Sequence, residues 1–96
     1  MNKVRAIVMK PADNVGTVVE AAAPGCEIAV DLGGEKLVVT TTEPIPFAHK
    51  FALRAIRRGE PVTKYGETIG LATRDIQPGQ HVHVHNLESC RGRGDK

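Results

Sequence analysis

Apolar residues along this chain come in short runs broken by glycine and proline, and several of the runs alternate apolar with polar positions. That is the period-2 pattern of half-buried strands, not the 3.6-residue stripe of a helix. The runs cover residues 4–9, 15–20, 27–32, 36–42, 62–65, 67–69 and 80–86. Turn signals separate them at Pro11-Ala12-Asp13-Asn14, Pro24-Gly25, Gly33-Gly34, Pro44-Ile45-Pro46, Gly59-Glu60-Pro61, Gly66, Gly70 and Pro78-Gly79. Gly33-Gly34 predicts a tight hairpin, because primed turns need the positive φ that glycine accepts. Only residues 49–58, where Phe51, Ala52, Ala55 and Ile56 can share one face, predict a short helical turn.

One spacing recurs: a small or apolar residue, two residues, glycine, two residues, then Ile or Val. It occurs from Ala22 to Ile28, Ile56 to Val62 and Ile76 to Val82. The intervals are unequal, so the pattern reads as a turn feeding a strand, repeated as local geometry and not as a solenoid.

Composition supports a mainly β fold with an aliphatic core. Val, Ile and Thr make up 24 of 96 residues, against 2 Phe, 1 Tyr and no Trp, and β-branched side chains pack well on a pleated surface. The length suits one domain, expected over residues 4–89 with a flexible C-terminal tail at 90–96. A domain this small buries only about 60–68% of its unfolded surface, so a partner covering further apolar area would add stability. Thirteen basic against eleven acidic residues give a formal charge of +2 with no block of one sign, and the three aromatics are scattered. Nucleic acid is therefore not an expected partner. Cys26 and Cys90 have no CxxC pairing and read as free thiols of a reducing compartment. The four apolar positions before Lys10 are too few for a signal peptide or a membrane span, so a cytoplasmic protein is expected.

Candidate chemistry concentrates in histidine. His81-Val82-His83-Val84-His85-Asn86 holds three of the four. As a strand it would put the imidazoles on one face with Val82 and Val84 facing the core. Neighbouring imidazoles on that face could share a metal ion, whereas His81 and His85, about 13 Å apart along an extended chain, could not without a bend. The alternative is an edge strand whose polar face is histidine. His49 lies beside Lys50 and between Phe47 and Phe51; it suits a general base, a metal ligand or an ordinary loop histidine. Asp13-Asn14 reads most simply as a turn cap. Arg93-Gly94-Asp95 is a coincidental match to a cell-adhesion tripeptide.

Together, Asp13-Asn14-Val15-Gly16, His49-Lys50-Phe51-Ala52-Leu53, Lys64-Tyr65-Gly66-Glu67-Thr68-Ile69-Gly70, Asp75-Ile76 and the histidine triplet with Asn86 resemble, in that order, the small N-terminal domain of the altronate/galactarate dehydratase family. The resemblance covers about residues 4 to 89. Ala48 departs from it, standing where the family usually has glycine. The resemblance implies a compact SAF-like β-clip fold and the small subunit of a two-component carbon–oxygen lyase that dehydrates a sugar acid to a 2-keto-3-deoxy acid, inactive without a large catalytic subunit. A divalent metal, iron or manganese, would be shared with that subunit. His49 and Lys50 would be catalytic, His49 as acid/base or metal ligand and Lys50 holding the substrate carboxylate. His83 and His85 would bind metal, and Asp13, Asn14, Tyr65 and Asn86 would contact substrate. The alternatives are the small subunit of a sulfolactate sulfo-lyase, a docking module without catalytic groups, and an autonomous metal- or sugar-acid-binding protein.

Overall fold

A computed structural model describes residues 3–8, 10–32 and 34–89. The expected tail, Met9, Gly33, Cys90 and the Arg93-Gly94-Asp95 tripeptide lie outside the described residues. Among the described residues there are nine strands: β1 (Lys3–Ile7), β2 (Val15–Val18), β3 (Glu27–Leu32), β4 (Glu35–Thr40), β5 (Lys50–Ala52), β6 (Pro61–Lys64), β7 (Glu67–Ala72), β8 (His81–Val82) and β9 (Leu87–Ser89). Six form one sheet in the order β4-β3-β1-β2-β5-β8, and β6-β7-β9 form a second. β1 and β3 run parallel; the other pairs are antiparallel. The radius of gyration, 12.6 Å, is close to the about 12.5 Å expected of a compact chain this long.

Alternation explains the longest hairpin. Ile28 and Val30 of β3 are buried while Ala29 and Asp31 are exposed, and across the ladder Val39 is buried between exposed Val38 and Thr40. Gly34, at φ 94°, makes the turn, and its N–H donates to the Asp31 carboxylate at 3.0 Å. Two apolar clusters result. One gathers Val4, Val18, Ile28, Val39, Ile45, Phe51 and Leu53 between the strands of the larger sheet. The other gathers Val15, Ala52, Ile56, Val62, Ala72, Ile76 and Val82. β5 serves both, Phe51 in the first and Ala52 in the second.

The repeated turn is real, and the structure adds a fourth copy. Gly25, Gly59 and Gly79 take φ values of 84°, 88° and 88°, and Ala48 takes 68°. Three residues before each stands a buried residue: Ala22, Ile45, Ile56 or Ile76. These pair as isolated bridges, Ala22 with Ile45 and Ile56 with Ile76. The residue after each left-handed position donates its N–H three residues back, Cys26 to Ala23, His49 to Pro46, Glu60 to Arg57 and Gln80 to Gln77. Each turn then enters a strand: β3, β5, β6 and β8.

Two expectations are corrected. Residues 49–58 form no helical turn: β5 is followed by a bend and then by the Ile56 turn. The apolar pair Phe51 and Ile56 that suggested a helix face is instead split between the two clusters. The histidine strand is also shorter than predicted. β8 stops at Val82, and the chain turns over residues 83–86 before β9. Val82 is fully buried as expected, but Val84 is 80% exposed.

Candidate functional site

The turn ahead of β5 presents His49, and β8 lies antiparallel beside β5 with Lys50 opposite Val82 and Phe51 opposite His81. This pairing sets His49 Nδ1 2.9 Å from His81 Nε2. The turn after Val82 then brings the third imidazole in: the His49 and His83 rings stack at 4.7 Å and the His81 and His83 rings at 5.5 Å. His85 also folds back, its ring 5.5 Å from that of His81. The bend that an extended strand lacks is thus what brings His85 back to His81, while the β5–β8 pairing sets His49 beside His81.

Local chemistry explains why His49 faces the site. In two sister turns the matching side chain closes on its own turn, Glu60 Oε1 accepting the Arg57 N–H at 2.8 Å and Gln80 Oε1 the Gln77 N–H at 2.7 Å. The corresponding donor in the His49 turn would belong to Pro46, which has none. With no local bond to make, the imidazole is left for its neighbours.

One nitrogen from each of His49, His81 and His83 lies within 4.8 Å of the others. The 2.9 Å approach of the first two is close to the edge of a coordination polyhedron, about 3 Å for two bonds of about 2.1 Å at right angles. Imidazole donors suit zinc, iron, copper and nickel. The trio therefore has a donor set that could hold a divalent transition metal; of the expected pair it includes His83, and His85 lies outside it. His81 and His83 are both held below the ordinary histidine range, first by burial and then by neighbouring charges: histidines for His81, opposed by the Glu43 carboxylate, and His49, Lys50 and His85 for His83. Neutral imidazole is the ligating form.

A cleft of about 420 Å³ adjoins the trio, lined by His83, Lys50, Lys64, Glu67, Thr68 and Ser89 among others. Burial, with the Lys64 ammonium adding to it, lowers the pKa of half-buried Lys50. Lys64 Nζ lies 4.9 Å from the Tyr65 ring centroid, and Tyr65 occupies the β6–β7 turn at φ 56°. His49 and Lys50 are thus brought together with His83, as the sequence suggested. Lys64 was not foreseen as a cleft residue: the Gly66 turn marks the β6–β7 hairpin in the sequence, but not its place beside Lys50 and His83.

The remaining expected contacts hold the scaffold. Asp13 is buried; Oδ1 accepts from Gly66 N–H at 2.8 Å and Oδ2 from Lys10 N–H at 3.2 Å. Asn14 donates to the Pro61 carbonyl at 2.9 Å and accepts from Thr63 N–H at 2.7 Å. Both residues fasten the β1–β2 turn to the β6–β7 hairpin. Asn86, 3% exposed, spends both ends of its amide on the main chain of the histidine loop.

The motif order has a counterpart among known proteins, for the family model described as altronate/galactarate dehydratase SAF domain matches residues 4–90. The chain belongs to this family. It is 43% identical over 77 residues to an altronate dehydratase of Escherichia coli, covering 80% of the chain and 15% of that protein. It is also 43% identical over 53 residues to the (2R)-sulfolactate sulfo-lyase subunit alpha of Paracoccus pantotrophus, covering 55% of the chain and 79% of that subunit. An altronate dehydratase of Bacillus subtilis is 39% identical over 51 residues, 53% of the chain and 10% of that protein. The SAF domain thus spans a small part of the dehydratases and most of the Paracoccus sulfo-lyase subunit. Among the described residues no helix is long and apolar enough to cross a membrane.

Proposed function

We propose that this SAF domain acts with a large catalytic subunit as a carbon–oxygen lyase, removing water from a sugar acid to give a 2-keto-3-deoxy acid. The observation that carries the reading is the imidazole trio at the edge of a cleft that also holds a half-buried ammonium. The dehydratase relatives support the reaction class. Likeness to a protein named as a subunit supports a two-component arrangement.

In such an elimination the proton α to the carboxylate leaves, the β-hydroxyl departs as water, and the resulting enol tautomerises to the 2-keto acid. Lys50, in the cleft beside His83, would anchor the carboxylate as a charge-assisted hydrogen-bond donor. His49, His81 and His83 would hold a divalent metal, iron or manganese, which supplies positive charge against the negative charge that builds as the α proton departs. His85, close to His81 but outside the trio, would be left to carry a proton. Partial burial keeps competing water from Lys50 and strengthens its contact with an anion.

A second reading has its own support, in the share of the Paracoccus sulfo-lyase subunit that the chain matches. Elimination of sulfite from a sulfonated hydroxyacid needs the same α-proton removal. Co-purification with a large subunit of the family, followed by assay of sugar acids and sulfolactate for 2-keto acid and sulfite, separates the two. Keto acid without sulfite from a sugar acid is expected. With the complex retained, His49→Ala should lower turnover at least a hundredfold; activity within a fewfold of wild type would remove His49 from the chemistry.

A further inference from the structure

A buried side-chain amide sits behind the imidazole trio and touches none of its rings by hydrogen bond. Asn86 Oδ1 accepts the His83 N–H at 3.0 Å, and Nδ2 donates to the His81 carbonyl at 2.9 Å. Its own N–H donates to the His83 carbonyl at 3.0 Å, and its carbonyl accepts from Thr73 N–H at 3.0 Å. The residue is 3% exposed.

Bonding the carbonyl before Val82 and the N–H after it is what a parallel neighbouring strand would do for that residue. β8 ends the six-stranded sheet, so among the described residues no such strand follows it. The carboxamide takes that strand's place from within the same loop, and in doing so closes the chain at His83. An open, extended course would instead carry His85 about 13 Å from His81, against the observed ring separation of 5.5 Å. Glu43 Oε2 also accepts the His81 N–H at 2.9 Å, so the main chain is gripped at both of the histidines that must meet His49.

We propose that Asn86 is a positioning residue that preorganises His81 and His83 for a divalent metal ion by standing in for a missing strand. The proposal rests on the reading of the trio as a metal site. Groups that orient metal ligands through hydrogen bonds typically change affinity 10–100-fold when removed. Asparagine fits where aspartate does not, because the site needs one donor and one acceptor.

The test is cobalt(II) titration of the 96-residue chain, read by its ligand-field absorption, for wild type, Asn86→Asp, Asn86→Ala and Ile56→Val. Ile56 lies in the second apolar cluster and its main chain bonds Ile76, not the histidine loop, so its variant loses stability without removing a hydrogen bond of that loop. Affinity should fall at least tenfold in both Asn86 variants and stay within twofold in Ile56→Val. A folded Asn86→Asp with wild-type affinity overturns the proposal, as does an equal loss in Ile56→Val at matched stability. Failure of the wild-type chain to bind cobalt would instead strike the metal reading. Amide exchange in wild-type, metal-free chain keeps the clamp testable on its own: the Asn86 carboxamide and His83 N–H protons should be protected, and exchange at free-peptide rates contradicts the clamp.

Discussion

Ala48 sits at φ 68°, in the left-handed region that costs an L-residue about 1–2 kcal/mol. The sister turns use glycine there. Replacing Ala48 by Gly removes this strain at the cost of extra freedom in the unfolded chain, for a net gain of about 0.5–1 kcal/mol. The thermal midpoint should rise by a few degrees, measured by circular dichroism; a fall would mean the methyl group is packed in a way that outweighs its strain. The imidazoles make a second prediction. Burial and neighbouring histidines lower the pKa of His81 and His83 in the folded state, so between their folded pKa values and about 6.5 the unfolded chain binds more protons. The contribution of these histidines to metal-free stability should therefore be constant above about pH 7 and decline as pH falls through 6.5. Urea titrations at several pH values check this, and His81→Asn should flatten the slope. Lys50 is a third case: burial disfavours its charge, so Lys50→Met should hold or raise the melting temperature while weakening substrate binding at least tenfold in the assembled enzyme. His49 and Lys50 were legible as a pair because they are adjacent in sequence. His81 was harder to separate from His85, since period-2 reasoning treats all three residues of the triplet alike and says nothing of where a strand ends.

The repeated turn places the chemistry at the level of elements. Three copies were visible in the sequence because glycine marked them; the fourth, with Ala48 in the glycine position and His49 after it, was hidden by that substitution. Two of the four copies carry candidate ligands: the one that departs from the pattern holds His49, and the Ile76 to Val82 copy holds His81. The glycines themselves are not equivalent. A β-carbon at Gly59 would meet open space, whereas one at Gly79 would run into the Thr40 carbonyl. Gly59→Ala should cost about 1 kcal/mol, the strain of the left-handed position alone. Gly79→Ala should exceed it by at least about 1 kcal/mol, because packed backbone must shift. Chemical denaturation of both variants decides the matter, and equal losses would contradict the close approach. Strand positions were read well where apolar and polar residues alternate, as in β3. The expected helix at 49–58 and the long histidine strand failed for one reason: short-range pattern cannot see which cluster an apolar residue joins, nor a side chain such as Asn86 that ends a strand by hydrogen bonding.

Across the whole molecule, the two apolar clusters meet at β5, and the histidine trio lies where β5 and β8 pair beside that seam. Phe51 is the largest fully buried side chain. Phe51→Ala should cost about 3–5 kcal/mol, enough to consume most of the stability of a domain this size, and calorimetry should show a melting temperature lowered far more than for Ile56→Val. Family membership was legible from the order of several weak motifs, whereas the site needed the pairing of β5 with β8, which sets His49 beside His81. Its most direct test is zinc or cobalt(II) binding by isothermal titration of the wild-type chain and of His49→Ala, His81→Ala, His83→Ala and His85→Ala. One ion per chain is predicted, with at least a hundredfold loss of affinity for each of the first three variants and a change of only a fewfold for His85→Ala. Absence of binding to the folded wild-type chain, or dependence on His85 in place of His81, would contradict the site.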